Sequence, residues 1–128
     1  MLIQLKTFKG NAVAVELVDS FTETDVELLK KLFEEKLSQG YKHVNILVKV
    51  QDMSLMKKMD MKAFVNGEIW GIKHFGKIGK CAVVSHSDFI KAVVKVENKI
   101  LHLINHALEE RYFDISELDE ALEFINPD

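Results

Sequence analysis

The stretch of sequence that best indicates the fold is residues 71–84, which read GIKHFGKIGKCAVV. Its last residues continue to Ser85 as an apolar run, which is typical of a buried strand over residues 81–85. The residues before that run are basic and include Gly76 and Gly79, which predicts a turn between a helix and the strand. The stretch holds no phosphate-binding loop, no cluster of metal ligands and no nucleophile motif. It therefore indicates an architecture rather than a chemistry.

Upstream of this stretch, the patterns predict two strands, a helix and a third strand. Apolar and polar residues alternate over residues 2–17 around the turn-forming pair Gly10-Asn11, which predicts a β-hairpin. Thr22 then precedes acidic residues and an apolar pattern at helical spacing that ends near Gly40, which predicts a helix with a cap at each end. Residues 44–50 are almost continuously apolar and β-branched, as expected of a central strand covered on both faces.

Downstream, strand-like and helix-like patterns continue to alternate. They predict a helix over residues 60–74, a strand over 81–85, a long helix over 87–108, a strand over 111–113 and a last helix that Ser116 caps. The predicted order is ββαβαβαβα, which gives an α/β fold with a mixed, mostly parallel sheet of about five strands flanked by helices. No linker or repeat interrupts this order, so residues 1–128 are predicted to form a single domain.

Composition excludes several classes of protein. The hydrophobic fraction of 48% is ordinary for a globular domain, and no apolar run is long enough to cross a membrane. The net charge of −3 argues against a general nucleic-acid binder, because phosphate contacts need a basic face. Cys81 is the only cysteine, so no internal disulfide can form, and the start of the chain lacks the pattern of a secretory signal. These features predict a cytoplasmic protein without stable membrane insertion.

With this order of elements, the second half of the chain resembles the SpoIIAA-like family, which has the STAS-like α/β fold. The resemblance lies in residues 71–75 (GIKHF), 78–84 (IGKCAVV) and 110–114 (ERYFD), followed by a short helix that contains Ala121-Leu122. It implies a mixed sheet with helices packed on it, and a binding or regulatory role. Some related STAS modules are switched by serine phosphorylation after the third strand. Ser54 lies near that position, but its flanking residues do not match a regulatory site, so no such role is assigned to it.

A methionine-rich segment, residues 51–61, follows the predicted third strand. Methionine is flexible and polarisable, so such a segment either plugs the core, forms a mobile lid over an apolar pocket, or makes a sticky surface for a partner. The residues predicted to form the lid or to line the pocket are Met53, Met56, Met59, Trp70, His74 and Phe75. Phe89 is a further candidate for the lining. His74 also fits a purely structural role at the end of a helix, where a cation complements the helix dipole.

The long helix predicted over residues 87–108 is apolar around much of its circumference. Beside one ordinary core stripe, it carries the apolar residues Phe89, Val96, Ile100 and Leu103. A helix of this kind has to be covered on more than one side, either by other parts of the chain or by a second subunit. The sequence therefore predicts a homodimer that forms through these four residues.

Enzymatic chemistry is the alternative to a binding function. It would need Cys81, His74 or His86 to meet in one cleft, and nothing in their spacing requires this. His102 and His106 share one side of the long helix, which is half of a zinc site, but a third ligand would have to come from Glu109, Glu110 or elsewhere. We therefore expect no catalytic residue, no metal and no cofactor. The favoured interpretation is a small binding domain that acts on a protein partner or on a small apolar ligand.

Overall fold

The computed structural model describes residues 1–20, 22–50, 75–86, 91–92, 94–95 and 108–127. These residues form strands β1 (Leu2–Thr7), β2 (Ala12–Leu17), β3 (Val44–Val50), β4 (Ile78–Ser85) and β5 (Glu109–Asp114), and helices α1 (Glu23–Ser38) and α2 (Leu118–Ile125). Two short 3-10 helices, Phe75–Lys77 and Ile115–Glu117, precede β4 and α2. Residues 91, 92, 94 and 95 are also helical, as the long helix predicted there requires.

The five strands form one mixed sheet in the order β1-β2-β3-β4-β5. β1 is antiparallel to β2, and all the other neighbours are parallel. The predicted α/β fold with a mixed, mostly parallel sheet is confirmed. Because β2 to β5 are parallel, their first residues meet at one edge of the sheet, the amino edge, and their last residues meet at the opposite carboxyl edge.

Helix α1 packs on one face of this sheet and helix α2 on the other. On the first face, Phe33 of α1 packs with Val13, Val15 and Val44 of the central strands, and all four side chains are at most 2% exposed. On the other face, α2 packs through Ala121 and Ile125 on residues of β2, β3 and β4. Burial of these apolar surfaces is the main source of stability for such a layered domain. The central strand β3 is therefore covered on both faces, as its β-branched composition predicted.

The start of α1 confirms the predicted cap. The Thr22 hydroxyl accepts a hydrogen bond from the Asp25 amide, and the Asp25 carboxylate accepts one from the Thr22 amide, which together form a capping box. At the other end, Gly40 follows the C-cap residue Gln39 and has a φ of +99°. Glycine adopts this left-handed conformation without strain, so it ends the helix here.

The hairpin differs from the prediction. β1 ends at Thr7 and β2 begins at Ala12, so four residues connect them rather than the pair Gly10-Asn11 alone. The reason is Phe8, which leaves the ladder of strand hydrogen bonds and is buried against the α2 face with only 4% exposure. Burial of a phenylalanine is worth about 2 kcal/mol, which outweighs the preference for a tight turn.

β4 begins three residues earlier than predicted, so Gly79 lies within the strand rather than in a turn. The ladder with β3 shifts register beside Asn45, whose Oδ1 accepts a hydrogen bond of 2.8 Å from the Lys80 amide. A Cβ atom at Gly79 would lie 2.5 Å from that oxygen, which is too close for any side chain. Gly79 is therefore needed for the close approach of Asn45 and not for a turn.

The remaining differences concern β5 and the last helix. β5 spans Glu109–Asp114, which is longer than the predicted residues 111–113. Ser116 does not cap the last helix. Instead, Asp114 caps the 3-10 helix that precedes α2, and the Ser116 hydroxyl donates a hydrogen bond to the Asp114 carboxylate.

Candidate functional site

The carboxyl edge brings together polar side chains from the ends of two neighbouring strands. Ser85 is the last residue of β4 and Asp114 is the last residue of β5, and the two are paired in register. His86 follows Ser85 directly. Parallel pairing therefore places a histidine, an aspartate and a serine from distant parts of the sequence at one position on the sheet.

His86 and Asp114 form a close pair. His86 Nδ1 lies 2.7 Å from Asp114 Oδ1. A carboxylate oxygen only accepts hydrogen bonds, so His86 Nδ1 carries the proton in this contact. The histidine side chain is 81% exposed and the aspartate side chain 34% exposed. The pair therefore presents an oriented imidazole to solvent at the carboxyl edge.

The second carboxylate oxygen of Asp114 binds the start of the 3-10 helix. Oδ2 accepts hydrogen bonds from the Ser116 amide at 3.0 Å and from the Ser116 hydroxyl at 2.7 Å. The Asp114 amide in turn donates to Glu117 Oε1 at 3.0 Å. Hydrogen bonds from His86 and then from Ser116 hold the pKa of the Asp114 carboxyl far below its ordinary value. Asp114 is therefore ionised at neutral pH and fixed on both of its oxygens.

Tyr112 adds a third connection between the two strands. Its hydroxyl donates to the Ser85 carbonyl oxygen at 2.8 Å. The tyrosine lies on β5 two residues before Asp114, so both residues project from the same face of the strand. Ser85 itself is only 1% exposed. The end of β4 is thus held to β5 on the same side that carries the His86–Asp114 pair.

This arrangement places polar side chains at the carboxyl edge, but the structure does not join it to the predicted thiol. Cys81 lies on β4 four residues before Ser85, which corresponds to about 13 Å along an extended strand. It is half-buried, whereas the sequence predicted full burial. The structure therefore does not bring Cys81 and His86 into one cleft, as the enzyme alternative requires.

The other predicted site residues lie mostly outside the described residues. These are Met53, Met56, Met59, Trp70 and His74 of the pocket, Phe89, Val96, Ile100 and Leu103 of the interface, the pair His102 and His106, and Ser54. The backbone of Phe75 begins the 3-10 helix before β4. Glu109 and Glu110 are the first residues of β5. Glu109 Oε1 forms an ion pair with Arg111 Nε at 3.1 Å.

Sequence reasoning missed Asp114 and Tyr112. A local signal for Asp114 was present, because Asp114 is followed by Glu117 three residues later, which is the spacing of a capping box. No local signal connects Asp114 to His86, which lies 28 positions earlier in the chain. Their contact depends on the parallel pairing of β4 with β5, so only a correct sheet topology reveals it.

Two further observations concern metals and membranes. Within the described ranges, no three His, Cys, Asp or Glu side chains are grouped so that they could hold a metal ion. In the same part of the chain, no helix has the length and apolar character needed to cross a bilayer.

Comparison with known proteins identifies the family. The profile of the SpoIIAA-like family matches residues 12–126. The chain belongs to the SpoIIAA-like family. This confirms the resemblance that residues 71–125 indicated. The comparison with curated proteins found no match.

A solved structure supports the fold of this SpoIIAA-like chain. It is the crystal structure of an uncharacterized protein of the DUF3478 family from Shewanella loihica PV-4, which has a SpoIIAA-like fold. The two chains superpose with a TM-score of 0.65 at 15% identity, over 98% of this chain and 92% of the other. At this identity the likeness shows the fold alone. Membership in the family is consistent with a non-catalytic regulatory domain and assigns no specific function.

Proposed function

We propose that this SpoIIAA-like chain is a cytoplasmic, non-catalytic binding domain that recognises its ligand at the carboxyl edge of the sheet. One observation carries the proposal: His86 and Asp114, the pair that a catalytic site would use, are engaged in joining strand ends and capping a helix. The only cysteine, Cys81, lies about 13 Å from the end of its strand, too far to act with that pair. What remains at this edge is a fixed, exposed hydrogen-bonding surface.

The strand order favours a protein partner over a buried small ligand. Ligand crevices in open α/β sheets form where the strand order reverses, because neighbouring connections then separate. Among the described strands, the order β2-β3-β4-β5 follows the sequence without a reversal. An apolar pocket at the carboxyl edge would therefore have to come from the segments that follow β3 and β4. The methionine-rich segment, residues 51–61, directly follows β3 in the sequence.

The apolar pocket is the more specific part of the proposal. Met53, Met56 and Met59 would cover it, and Trp70, His74 and Phe75 would line it. Trp70 is the only tryptophan, so its fluorescence reports directly on ligand binding. A fatty acid should shift the Trp70 emission, and the double variant Met56→Ala/Met59→Ala should weaken the shift. Leu28→Ala removes an exposed apolar side chain from α1 and should leave it unchanged.

A fatty acid that leaves Trp70 emission unchanged would exclude the pocket. The carboxyl edge would then act through protein contact alone. Native mass spectrometry of freshly purified protein distinguishes the two forms of the proposal, because it reports both a co-purified ligand and the number of subunits.

The homodimer is the second specific part of the proposal. Its interface would consist of Phe89, Val96, Ile100 and Leu103, the apolar residues outside the core stripe of their predicted helix. Leu103→Asp should convert a dimer into a monomer, whereas Leu28→Asp on the exposed side of α1 should not. Sedimentation of the wild type as a monomer at high micromolar concentration would refute the dimer.

A further inference from the structure

The amino edge of the sheet carries a group of cations that the proposed binding surface does not use. Lys80 of β4 and Arg111 of β5 lie near the first residues of their strands, on the face that α2 covers. Both side chains lie against the ring of Phe124 in the last turn of α2. The Lys80 ammonium is 5.2 Å from the ring centroid, and the Arg111 guanidinium is 5.0 Å from it. We name Lys80, Arg111 and Phe124 the amino-edge cluster.

The ring holds these two cations in place. Phe124 packs on Phe113 of β5 with a centroid separation of 5.6 Å. The end of α2 is anchored next to it, because Asn45 Nδ2 donates to the Ile125 carbonyl oxygen at 2.9 Å. The same Asn45 side chain accepts from the Lys80 amide and so fixes the strand from which Lys80 projects. Lys80 and Arg111 are therefore prepositioned without the entropy cost that flexible surface cations pay on binding.

The charges of these cations are only partly compensated. Arg111 Nε lies 3.1 Å from Glu109 Oε1, and the arginine side chain remains 59% exposed. In the part of the chain that the structure describes, the terminal nitrogens of Arg111 and the Lys80 ammonium have no hydrogen-bond or ion-pair partner. Both side chains thus have donors that face solvent and are aimed by the ring of Phe124.

The size and chemistry of the cluster define what it can bind. Since both cations lie within 5.2 Å of one ring centroid, they are within about 10 Å of each other. Cations within this limit can pair with two carboxylates carried by one peptide, with an apolar contact on the exposed part of the ring. A long nucleic acid fits less well, because the chain has a net charge of −3 and acidic residues such as Asp19, Asp114 and Asp119 lie at the opposite edge.

We propose that the amino-edge cluster is a docking site for an acidic peptide segment of a partner protein. The site lies at the opposite end of the strands from the carboxyl edge. Its test is therefore independent of the proposed ligand binding at that edge. Acidic side chains of that segment would pair with Lys80 and Arg111. The Phe124 ring would supply the apolar contact and keep the two cations apart.

Fluorescence anisotropy tests this site with defined probes. We expect a short fluorescein-labelled peptide of alternating glutamate and serine to bind at about 50 mM NaCl and to weaken as salt rises. The double variant Lys80→Gln/Arg111→Gln should reduce affinity at least about tenfold. Phe124→Leu keeps the charges and most of the packing volume, and it should also weaken binding because the cations lose their support.

Lys6→Gln is the matched control. Lys6 also lies over an aromatic ring, 5.1 Å from the centroid of Phe8. It belongs to β1, which is at the opposite end of the strand order from β4 and β5. It should bind the peptide like the wild type. Equal loss in this variant, or unchanged binding in the double variant, would overturn the proposal. Tighter binding of a single-stranded oligonucleotide of equal charge would also overturn it and would indicate a nucleic-acid site instead.

Discussion

Asp25 and Asp114 both help to start a helix through a capping box, yet their surroundings are opposite. Asp25 is 7% exposed and lies in the first turn of α1, next to Leu2 of β1. Its carboxylate accepts hydrogen bonds from the Leu2 amide at 2.9 Å, the Thr22 amide at 2.9 Å and the Thr22 hydroxyl at 3.0 Å. Asp114 is partly exposed and gives one of its two oxygens to a solvent-facing histidine. The capping box at Asp25 is therefore buried, whereas the capping box at Asp114 is part of the surface.

The difference shows which of the two carboxylates is available for function. Among the described residues, the partners of the Asp25 carboxylate belong to the first 22 residues, including the Met1 amino group at 3.4 Å, so its role is to hold β1 against α1. Burial would raise the pKa of the Asp25 carboxyl, but the hydrogen bonds from Thr22 and the positive amino terminus outweigh burial and lower it. Asp114 instead orients a side chain that a partner can reach.

Asp25→Ala should have the largest effect on stability. It leaves the buried Leu2 amide without its acceptor and removes half of the capping box, which together should cost about 2–4 kcal/mol in the free energy of unfolding. Urea denaturation measures this loss. Glu27→Ala removes an exposed acid from the same helix and should change the free energy by less than about 0.5 kcal/mol. Equal effects of the two variants would remove the distinction between the interior and surface carboxylates.

Acidification should act on both aspartates. Each has a lowered pKa in the folded protein, so each stabilises the fold fully above the ordinary aspartate value of about 3.9. This contribution is lost as the pH falls from there through the folded pKa, because the unfolded chain takes up protons first. We expect the free energy of unfolding to decrease below about pH 4 and to decrease less steeply in Asp25→Asn. An identical slope in that variant would mean that Asp25 contributes nothing to acid unfolding.

Asp114→Ala should destabilise less than Asp25→Ala, because the lost cap is partly exposed and water can replace its hydrogen bonds. Asp114→Asn retains an oxygen that can accept from the Ser116 amide and should lose less than half as much stability. Thermal unfolding of the two variants side by side tests this order. A loss in Asp114→Asn as large as in Asp114→Ala would assign the stabilisation to the charge rather than to the cap.

His86→Ala should have the smallest effect, within about 0.5 kcal/mol, because the histidine side chain is 81% exposed. A larger loss in calorimetry would make His86 a structural residue and would weaken its assignment to a binding surface. Tyr112→Phe provides a useful contrast, because it removes only the hydroxyl that bonds the buried end of β4. It should cost about 1 kcal/mol.

The sequence indicated most of the fold, because the fold depends on local patterns. The helical spacing after Thr22 and the β-branched runs of β3 and β4 each act over a few residues, so they can be found without knowing the neighbours. Gly79 was wrongly assigned to a turn. The residue that requires a glycine there, Asn45, lies on another strand, so the local sequence does not reveal the requirement. The two-residue hairpin turn was wrong because the burial of Phe8 against the α2 face lengthens the connection. The His86–Asp114 pair was missed for the same reason, since it joins two strands that only the folded sheet brings together.

The hydrogen bond from Asn45 to Ile125 also bears on how the protein folds. It joins residues 80 positions apart and fastens α2, which follows all five strands in the sequence, to the beginning of β3. A helix of eight residues is too short to persist alone in water. We therefore expect α2 to form late, on a sheet whose parallel pairings already demand long loop closures. During synthesis, the strand residues that Ala121 and Ile125 contact lack this helix until α2 has left the ribosome, so a chaperone that binds apolar surface has a defined interval in which to act.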